Sequence, residues 1–563
     1  MTTSPSDRPE KNTVWIGVGI FILTLVLYLI TSYPTVAYID SGELAIVNWS
    51  LGIAHPTGYP LYTLLGHLFS LLPLKLIATQ NLFGSVCTAF AVVLLFLTVA
   101  GIAERRPITM ASTAIASLIF GISPLIWSQG VTNEVYGLHL LFISLMLWFL
   151  SRPFSSRRLV MYSLVLGLSF GNHLSTILTV PAFLVYVFLN RSAVKRVPRA
   201  IWLSVAVIAL SATIYLYLPI RSSLDPLMDW GEPTNWASFY RHVSGWQYRV
   251  WMFDRGFSEI ARQLGAFAVT IFEQFPISFW PFVLVGFWYG FRRFRPLAGY
   301  ALLILLFDIL YALNFSIPDI DNYLIPSVVV VFLFAGFAVV GLSKERGLVL
   351  WISVVLLATS LPLGLVTNWQ RQDQSGNYAA ADGVENFFKS CEPQSLILCA
   401  NWDYISPWLY LHFYEKDRED VLIIDSELVR RSWYFDFIRH ADSSLYDYIK
   451  PEVDRFMPQV KLFEAGLPYD ENSIQESYQA ILIKIMEYPQ KKIYLDVSVQ
   501  LTFKLPGDIR KSGRLFRLVR EGEEFTPPEG PFQPLRFGKP QKYLTARELW
   551  HLNLSHRLDS YRE

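Results

Sequence analysis

Long apolar runs separated by short polar stretches fill the chain up to residue 366, and then they stop. A helix needs about 20 mostly apolar residues to cross a bilayer. The run 13–30 follows a polar tail and has no small-residue cleavage site, so it reads as an anchor and not as a removed signal peptide. Ten further runs follow at 80–103, 108–127, 134–150, 159–171, 173–190, 200–219, 265–291, 297–315, 323–342 and 347–366, predicting about eleven spans. Within 32–79, the run 61–72 is too short to span and reads as an interfacial or re-entrant helix.

Beyond residue 366 the pattern changes to short buried-strand runs at 396–400, 421–425 and 492–497, with helical periodicity between them, as in 406–414. This predicts a small sheet packed by helices. No GxGxxG, Walker or nucleophile-elbow motif occurs there, so no second active site is expected. Acceptor binding, or covering the membrane cavity, is the expected role. Asn401 and Asp403 end a strand and suit either such contacts or turn chemistry.

Charge sharpens the division. The chain is 53% hydrophobic and 17% charged, with a net charge of +1, which argues against a nucleic-acid footprint. Up to Val366 there are 22 Lys/Arg and 16 Asp/Glu; beyond it there are 25 and 30. The density rises from about 10% to about 28%, a value usual for soluble domains. The expected organisation is a membrane domain over 1–366, with outer loops 32–79 and 221–264, and a soluble extracytoplasmic α/β domain over 367–563. Basic clusters at Arg105/Arg106, Arg152/Arg157/Arg158, Arg191/Lys195/Arg196/Arg199, Arg292/Arg293/Arg295 and Lys344/Arg346 all fall on one side of eleven spans. The positive-inside rule then puts the N-terminus in the cytoplasm and the C-terminal domain outside it. Cys87 reads as a buried hydrophobe, Cys391 and Cys399 suit either a pair or free thiols, and no CxxC or Cys/His metal pattern is present.

Polar motifs collect at the outer ends of the spans: Asp40-Ser-Gly-Glu43, His55-Pro-Thr-Gly-Tyr59-Pro, Gln129 to Tyr136 with Glu134, Asn172-His173, Arg221 to Asp225, Asp229-Trp230, and Asp319 to Tyr323 with Asp321. Ionisable groups at a membrane boundary are costly and point to function. Asp40 and Glu43 fit a helix N-cap and its return residue. The same pair fits a carboxylate that takes a proton from an acceptor hydroxyl. Arg221 suits a lipid phosphate or an interfacial position. His55 and His173 suit the same phosphate, a sugar, or structural hydrogen bonds. Trp230, Trp236, Trp246 and Trp251 share one outer loop and suit an interfacial belt or a sugar-stacking surface.

The run Asp40 to Glu43, with Leu51-Gly-Ile-Ala-His55-Pro-Thr-Gly-Tyr59-Pro-Leu-Tyr62, resembles the membrane family filed as domain of unknown function 2723, which includes transmembrane protein 260-like protein O-mannosyltransferases. Further blocks match in order: Ser128-Gln129, Glu134-Val-Tyr136, Gly171-Asn172-His173, Leu218-Pro-Ile-Arg221, Asp225-Pro, Trp230-Gly231 and Asp321-Asn-Tyr323-Leu-Ile-Pro326. The resemblance covers about 14–366 and extends to Leu396 through Asp403; Thr57 departs from it, since the family more often has a second proline there.

The resemblance implies a polytopic GT-C glycosyltransferase fold. It also implies a polyprenyl-phosphate sugar donor (mannose or another hexose), a protein Ser/Thr or glycan acceptor, and inversion with no metal or other cofactor. The catalytic role maps onto Asp40 as base, with Glu43 beside it. His55, Tyr59, Asn172, His173 and Arg221 are expected at the donor, and Glu134, Tyr136, Asp225, Trp230 and Asp321 at the acceptor or in loop contacts. A bacterial plasma membrane is the expected location. A transporter or lipid flippase, a noncatalytic scaffold, and a GT-C enzyme acting on a lipid or polysaccharide are the alternatives; no internal repeat of the transporter kind is found.

Overall fold

Each of the eleven apolar stretches is helical over most of its length in the computed structural model, which describes residues 11–560 except 105, 195, 529 and 531. Arg105 and Lys195 of the basic clusters lie outside the described residues. Among the described residues, six helices are long and apolar enough to cross a membrane: Lys11–Ile30, Leu76–Ile102, Pro198–Ser222, Arg295–Leu313, Ile320–Leu342 and Leu348–Gln372. Two bent pairs raise the number to eight if each is one span: Pro107–Gly121 with Pro124–Val131, bent by 68°, and Phe257–Glu273 with Ile277–Arg293, bent by 87°. This is fewer than the eleven expected, because several stretches form shorter helices. The 15 residues of Tyr136–Leu150 reach about 22 Å, short of a hydrocarbon core of about 30 Å.

The break at Pro124 has a clear cause. Ser123 is extended (φ −67°, ψ 143°), the conformation favoured before proline, and Pro124 has no N–H to continue the ladder. Side chains satisfy the backbone groups freed there. Gln274 Oε1 accepts from the Leu125 N–H at 2.8 Å, and Asn368 Nδ2 donates to the Ile122 carbonyl at 2.9 Å. In a low-dielectric interior these partners make a broken helix tolerable.

The chain divides into two compact units. One comprises Met1–Ser32, Asn81–Tyr215 and Tyr248–Asp373. At its centre is Ile325–Leu342, apolar on every side and almost wholly buried. Helix Trp280–Arg293 packs on it through Gly286, where an added Cβ would lie 1.6 Å from the Phe334 carbonyl oxygen. Small residues allow this backbone approach between membrane helices. Asp308, buried in Arg295–Leu313, accepts from the Ser327 N–H at 3.1 Å and the Ser327 hydroxyl at 2.5 Å, satisfying the start of Ile325–Leu342.

The other unit comprises Tyr33–Gln80, Leu216–Gln247 and Gln374–Glu563. It contains helices Ser41–Ser50 and Pro60–Ser70 and a five-stranded sheet. The second helix forms where a short re-entrant or interfacial helix was expected. The strands are β1 (Ser395–Cys399), β2 (Leu422–Asp425), β3 (Lys492–Leu495), β4 (Asp508–Ser512) and β5 (Leu515–Val519), in the order β2-β1-β3-β5-β4. β1 pairs in parallel with β2 and β3, and β5 runs antiparallel to β3 and β4. The first three strands were expected. The β4–β5 hairpin was not, because the edge strand reads Asp-Ile-Arg-Lys-Ser, is largely exposed and shows no buried run. Cys391 and Cys399 are both buried and free.

Asp425 ends β2 with its carboxylate buried, accepting from the Glu427 and Leu428 N–H groups at 2.8 and 3.1 Å. Burial pushes its pKa up to about 7. The folded state therefore holds a proton that the unfolded state releases near pH 3.8, so the group weakens folding progressively as pH rises from about 4 to about 7. Asp425→Asn keeps an acceptor oxygen and removes the charge. The variant is expected to gain stability over wild type across that window, by a few kcal/mol at pH 8 and by little at pH 4. Melting temperatures of the two full-length proteins against pH check this; a constant difference across the range would refute it.

Candidate active site

Asp40 stands at the N-cap position of Ser41–Ser50, and its carbonyl accepts from the Leu44 N–H at 2.8 Å. The expected side-chain capping box is absent. Both carboxylates are used elsewhere. Asp40 Oδ1 accepts from the Trp402 indole N–H at 2.8 Å, and Oδ2 lies 3.7 Å from His55 Nε2. Glu43 is fully buried; its Oε1 accepts from the His55 backbone N–H at 2.8 Å, and Oε2 is 2.6 Å from His55 Nδ1. With Nδ1 donating to Glu43, His55 turns Nε2 toward the Tyr59 hydroxyl, at 3.0 Å, and toward Asp40. The order is carboxylate, imidazole, carboxylate, with a phenol at the junction.

Helix Trp402–Phe413 holds this segment in place. Asn401 caps it by accepting from the Asp403 N–H at 3.1 Å, which is turn chemistry. The Glu43 N–H donates to Ser406 Oγ at 3.0 Å, and the Ile39 N–H donates to Asp403 Oδ1 at 3.2 Å. Asp403 also receives Arg547 at 2.6 Å and His551 at 2.9 Å. Burial pushes the Asp403 carboxyl up, but the His551 bond and the Arg547 charge outweigh it and hold the group below its usual value. Asp40 goes the other way. Burial raises it, and Glu43 adds to the rise against the opposing pull of His55, Trp402 and Arg547. A carboxylate so placed accepts a proton more readily than an exposed one.

Asp40, Glu43 and His55 each offer one ligand atom, and these atoms lie within 4.8 Å of one another. Three ligand atoms so grouped could hold a divalent cation.

Trp230 stands beside the cluster, with its ring 6.1 Å from that of His55 and 4.8 Å from that of Trp433. Backbone pairing places it there: the Ile53 N–H donates to the Met228 carbonyl at 2.6 Å, and the Trp230 N–H to the Ile53 carbonyl at 3.3 Å. Arg221 lies at the opposite end of Ser41–Ser50. Its Nε and Nη2 donate to the carbonyls of Leu51 and Ser50 at 2.7 and 3.2 Å, closing the helix C-terminus. Bonds from a charged donor contribute about 1.5–3 kcal/mol each. Arg221→Gln is therefore expected to lower the melting temperature of the purified full chain clearly. An unchanged melting temperature would remove this bracing role. Asp225 faces Arg439 at 3.0 Å and His440 at 3.3 Å.

Asn172, His173, Glu134, Tyr136 and Asp321 belong to the other unit. There His173 Nδ1 is 2.6 Å from Ser175 Oγ, and its ring lies 5.2–5.4 Å from those of Tyr136, His139 and Tyr323. Asn172 donates to the Val135 carbonyl at 3.2 Å. Glu134 is buried, and Asp321 lies exposed in the turn before Ile325–Leu342.

Sequence reasoning did not reach Trp402, Ser406, Arg547 or His551 as partners of the 39–43 segment. Only Asn401-Trp-Asp403 carried a local signal, as a strand end with turn chemistry.

The family described as "Protein O-mannosyl-transferase TMEM260 N-terminal domain" matches residues 40–196. The Protein O-mannosyl-transferase tmem260 of Dictyostelium discoideum is 24% identical over 515 residues, covering 80% of this chain and 61% of the relative. The Mus musculus Protein O-mannosyl-transferase TMEM260 is 25% identical over 461 residues, covering 74% and 63%. The chain thus spans less than two thirds of the length of these relatives. The apo crystal structure of ArnT from Cupriavidus metallidurans aligns with a TM-score of 0.53 at 14% identity, covering 90% of this chain and 98% of that one. The chain is similar to TMEM260-type proteins, has the GT-C fold seen in ArnT, and is a multi-pass membrane protein.

Proposed function

We propose that the protein is a membrane glycosyltransferase that moves mannose or another hexose from a polyprenyl-phosphate donor to an acceptor hydroxyl, a protein Ser or Thr. The reading is carried by Asp40: a carboxylate raised by burial, oriented by an indole N–H and facing an imidazole that is itself fixed by a buried carboxylate. The names of the curated relatives support the sugar and acceptor classes.

In this reading Asp40 accepts the proton of the acceptor hydroxyl. The hydroxyl oxygen bonds to the anomeric carbon as the bond from that carbon to the phosphate oxygen breaks, and the phosphate leaves with the electron pair. One displacement inverts the configuration. The leaving group is already a stable anion, so no protein acid is needed. Glu43 positions His55, whose Nε2 edge and the Tyr59 hydroxyl offer contacts to the donor sugar. Arg221 uses two of its five donors on the helix end and has others for the phosphate. With all eleven helical stretches crossing, the basic clusters put the N-terminus in the cytoplasm and the C-terminal domain outside it; the plasma membrane of a bacterium is the proposed location.

The test is to incubate detergent-purified full chain with a panel of polyprenyl-phosphate sugars and Ser/Thr acceptors, and to measure free polyprenyl phosphate. Release that depends on acceptor identifies a transferase and names the sugar; detergent removes the sealed compartment that transport requires. No release with any donor from folded protein would overturn the reading.

A further inference from the structure

A cleft opens beside the catalytic cluster, with Pro56, the neighbour of His55, on its wall. Trp230, Trp246 and Trp433 supply flat faces, and Arg241, Arg431 and Glu464 supply charge. All of these residues belong to the unit that contains Asp40, and none lies on a membrane-spanning helix.

The charges do not close on one another. Glu464 accepts from the Ser432 N–H and hydroxyl at 3.1 and 2.5 Å. Arg241 lies over the Trp246 ring at 5.7 Å, and its Nη1 is buried with no hydrogen-bond partner. Arg431 is partly buried, and its guanidinium makes no hydrogen bond or salt bridge within the described residues; Glu464 and Glu427 act on it only through their charge. His242 also lines the cleft, and burial holds its pKa down to about 3, so it is neutral at ordinary pH. Two guanidinium groups against one carboxylate leave a single positive charge and donors in need of an acceptor. A half-buried donor without a partner costs free energy that an anionic ligand would recover.

We propose that this cleft binds an acidic side chain of the acceptor segment, its carboxylate between Arg241 and Arg431 and its adjoining peptide against the indoles, so that acceptors with Asp or Glu beside the modified hydroxyl are preferred. The wall carries no run of aliphatic side chains, which separates it from a site for a polyprenyl tail. The inference rests on the proposed transferase reading, since it names the acceptor.

Binding without donor tests it separately. Full chain in detergent is titrated with a Thr-centred peptide carrying Asp on both sides, and with its Asn twin. The Asp peptide is expected to bind about tenfold or more tightly, a difference of about 1.4 kcal/mol. The preference is expected to disappear in Arg431→Gln and to shrink in Arg241→Gln, with Arg431→Lys retaining part of it and melting temperatures confirming the fold. Equal affinity for the two peptides, no binding of the Asp peptide at millimolar concentration, or a preference unchanged in both Gln variants would overturn the proposal. A preference for the Asp peptide in a protein that releases no polyprenyl phosphate would uphold the cleft and overturn the transferase reading.

Discussion

Asp40→Asn is expected to lower the rate of sugar transfer by about 10²–10⁴-fold, the usual contribution of a positioned general base. The substitution is close to isosteric, and its remaining oxygen still accepts from Trp402, a bond of 2.8 Å in the native protein. It also removes a charge that burial and the neighbouring Glu43 both disfavour, so the fold should not weaken. The loss should therefore fall on kcat, with donor binding little changed. Wild-type transfer should rise with pH along an acid limb that lies above the ordinary aspartate value of 3.8, because the pKa of Asp40 is raised. The residual activity of the variant should lack that limb. Full transfer by well-folded Asp40→Asn would remove Asp40 from the mechanism.

Gly42→Ala has the largest expected effect on the site that does not touch a reacting group. An added Cβ would lie 1.9 Å from the Ser406 carbonyl oxygen, 2.5 Å from its carbon and 2.9 Å from the Pro407 nitrogen. All three are backbone atoms of helix Trp402–Phe413, so no rotamer change relieves the clash. The two helices must separate, and with them go the bonds from Glu43 to Ser406 and from Trp402 to Asp40. Overpacking of this kind costs about 1–3 kcal/mol and more where backbone must shift. A marked fall in melting temperature together with loss of transfer is expected. Gly265→Ala is the control: nothing lies within 4 Å of its Cβ position, and alanine in a helix interior is neutral or stabilising. Equal behaviour of the two variants would refute the close-approach role of Gly42.

That glycine shows what the chain makes legible and what it does not. The motif from Asp40 to Tyr62 was visible as a dense run of polar and special-conformation residues between apolar spans, and it does form the cluster at Asp40, Glu43, His55 and Tyr59. The reason for its glycine was not visible, because the partner backbone lies more than 360 positions away. Local rules fit Asp40 and Glu43 to a capping box, yet His55 takes the Glu43 carboxylate because the loop returns over the helix. Arg221 was legible as a charge at the end of an apolar run, while its use on two helix carbonyls depends on tertiary packing. The apolar stretches were readable as helices from composition alone. Their bends were less so: Pro124 marks one, but the side chains that make it tolerable, Gln274 and Asn368, lie 149 and 246 positions from the groups they satisfy.

The indole that orients Asp40 follows it by 362 residues in the chain. At about 5–20 residues per second, a ribosome needs roughly 20–70 s to travel that far. Throughout this interval the motif has already been synthesised but lacks Trp402 and Ser406. An unfinished polypeptide cannot assemble the pocket around its own carboxylate, so competence arrives late in translation, after every apolar helix has emerged.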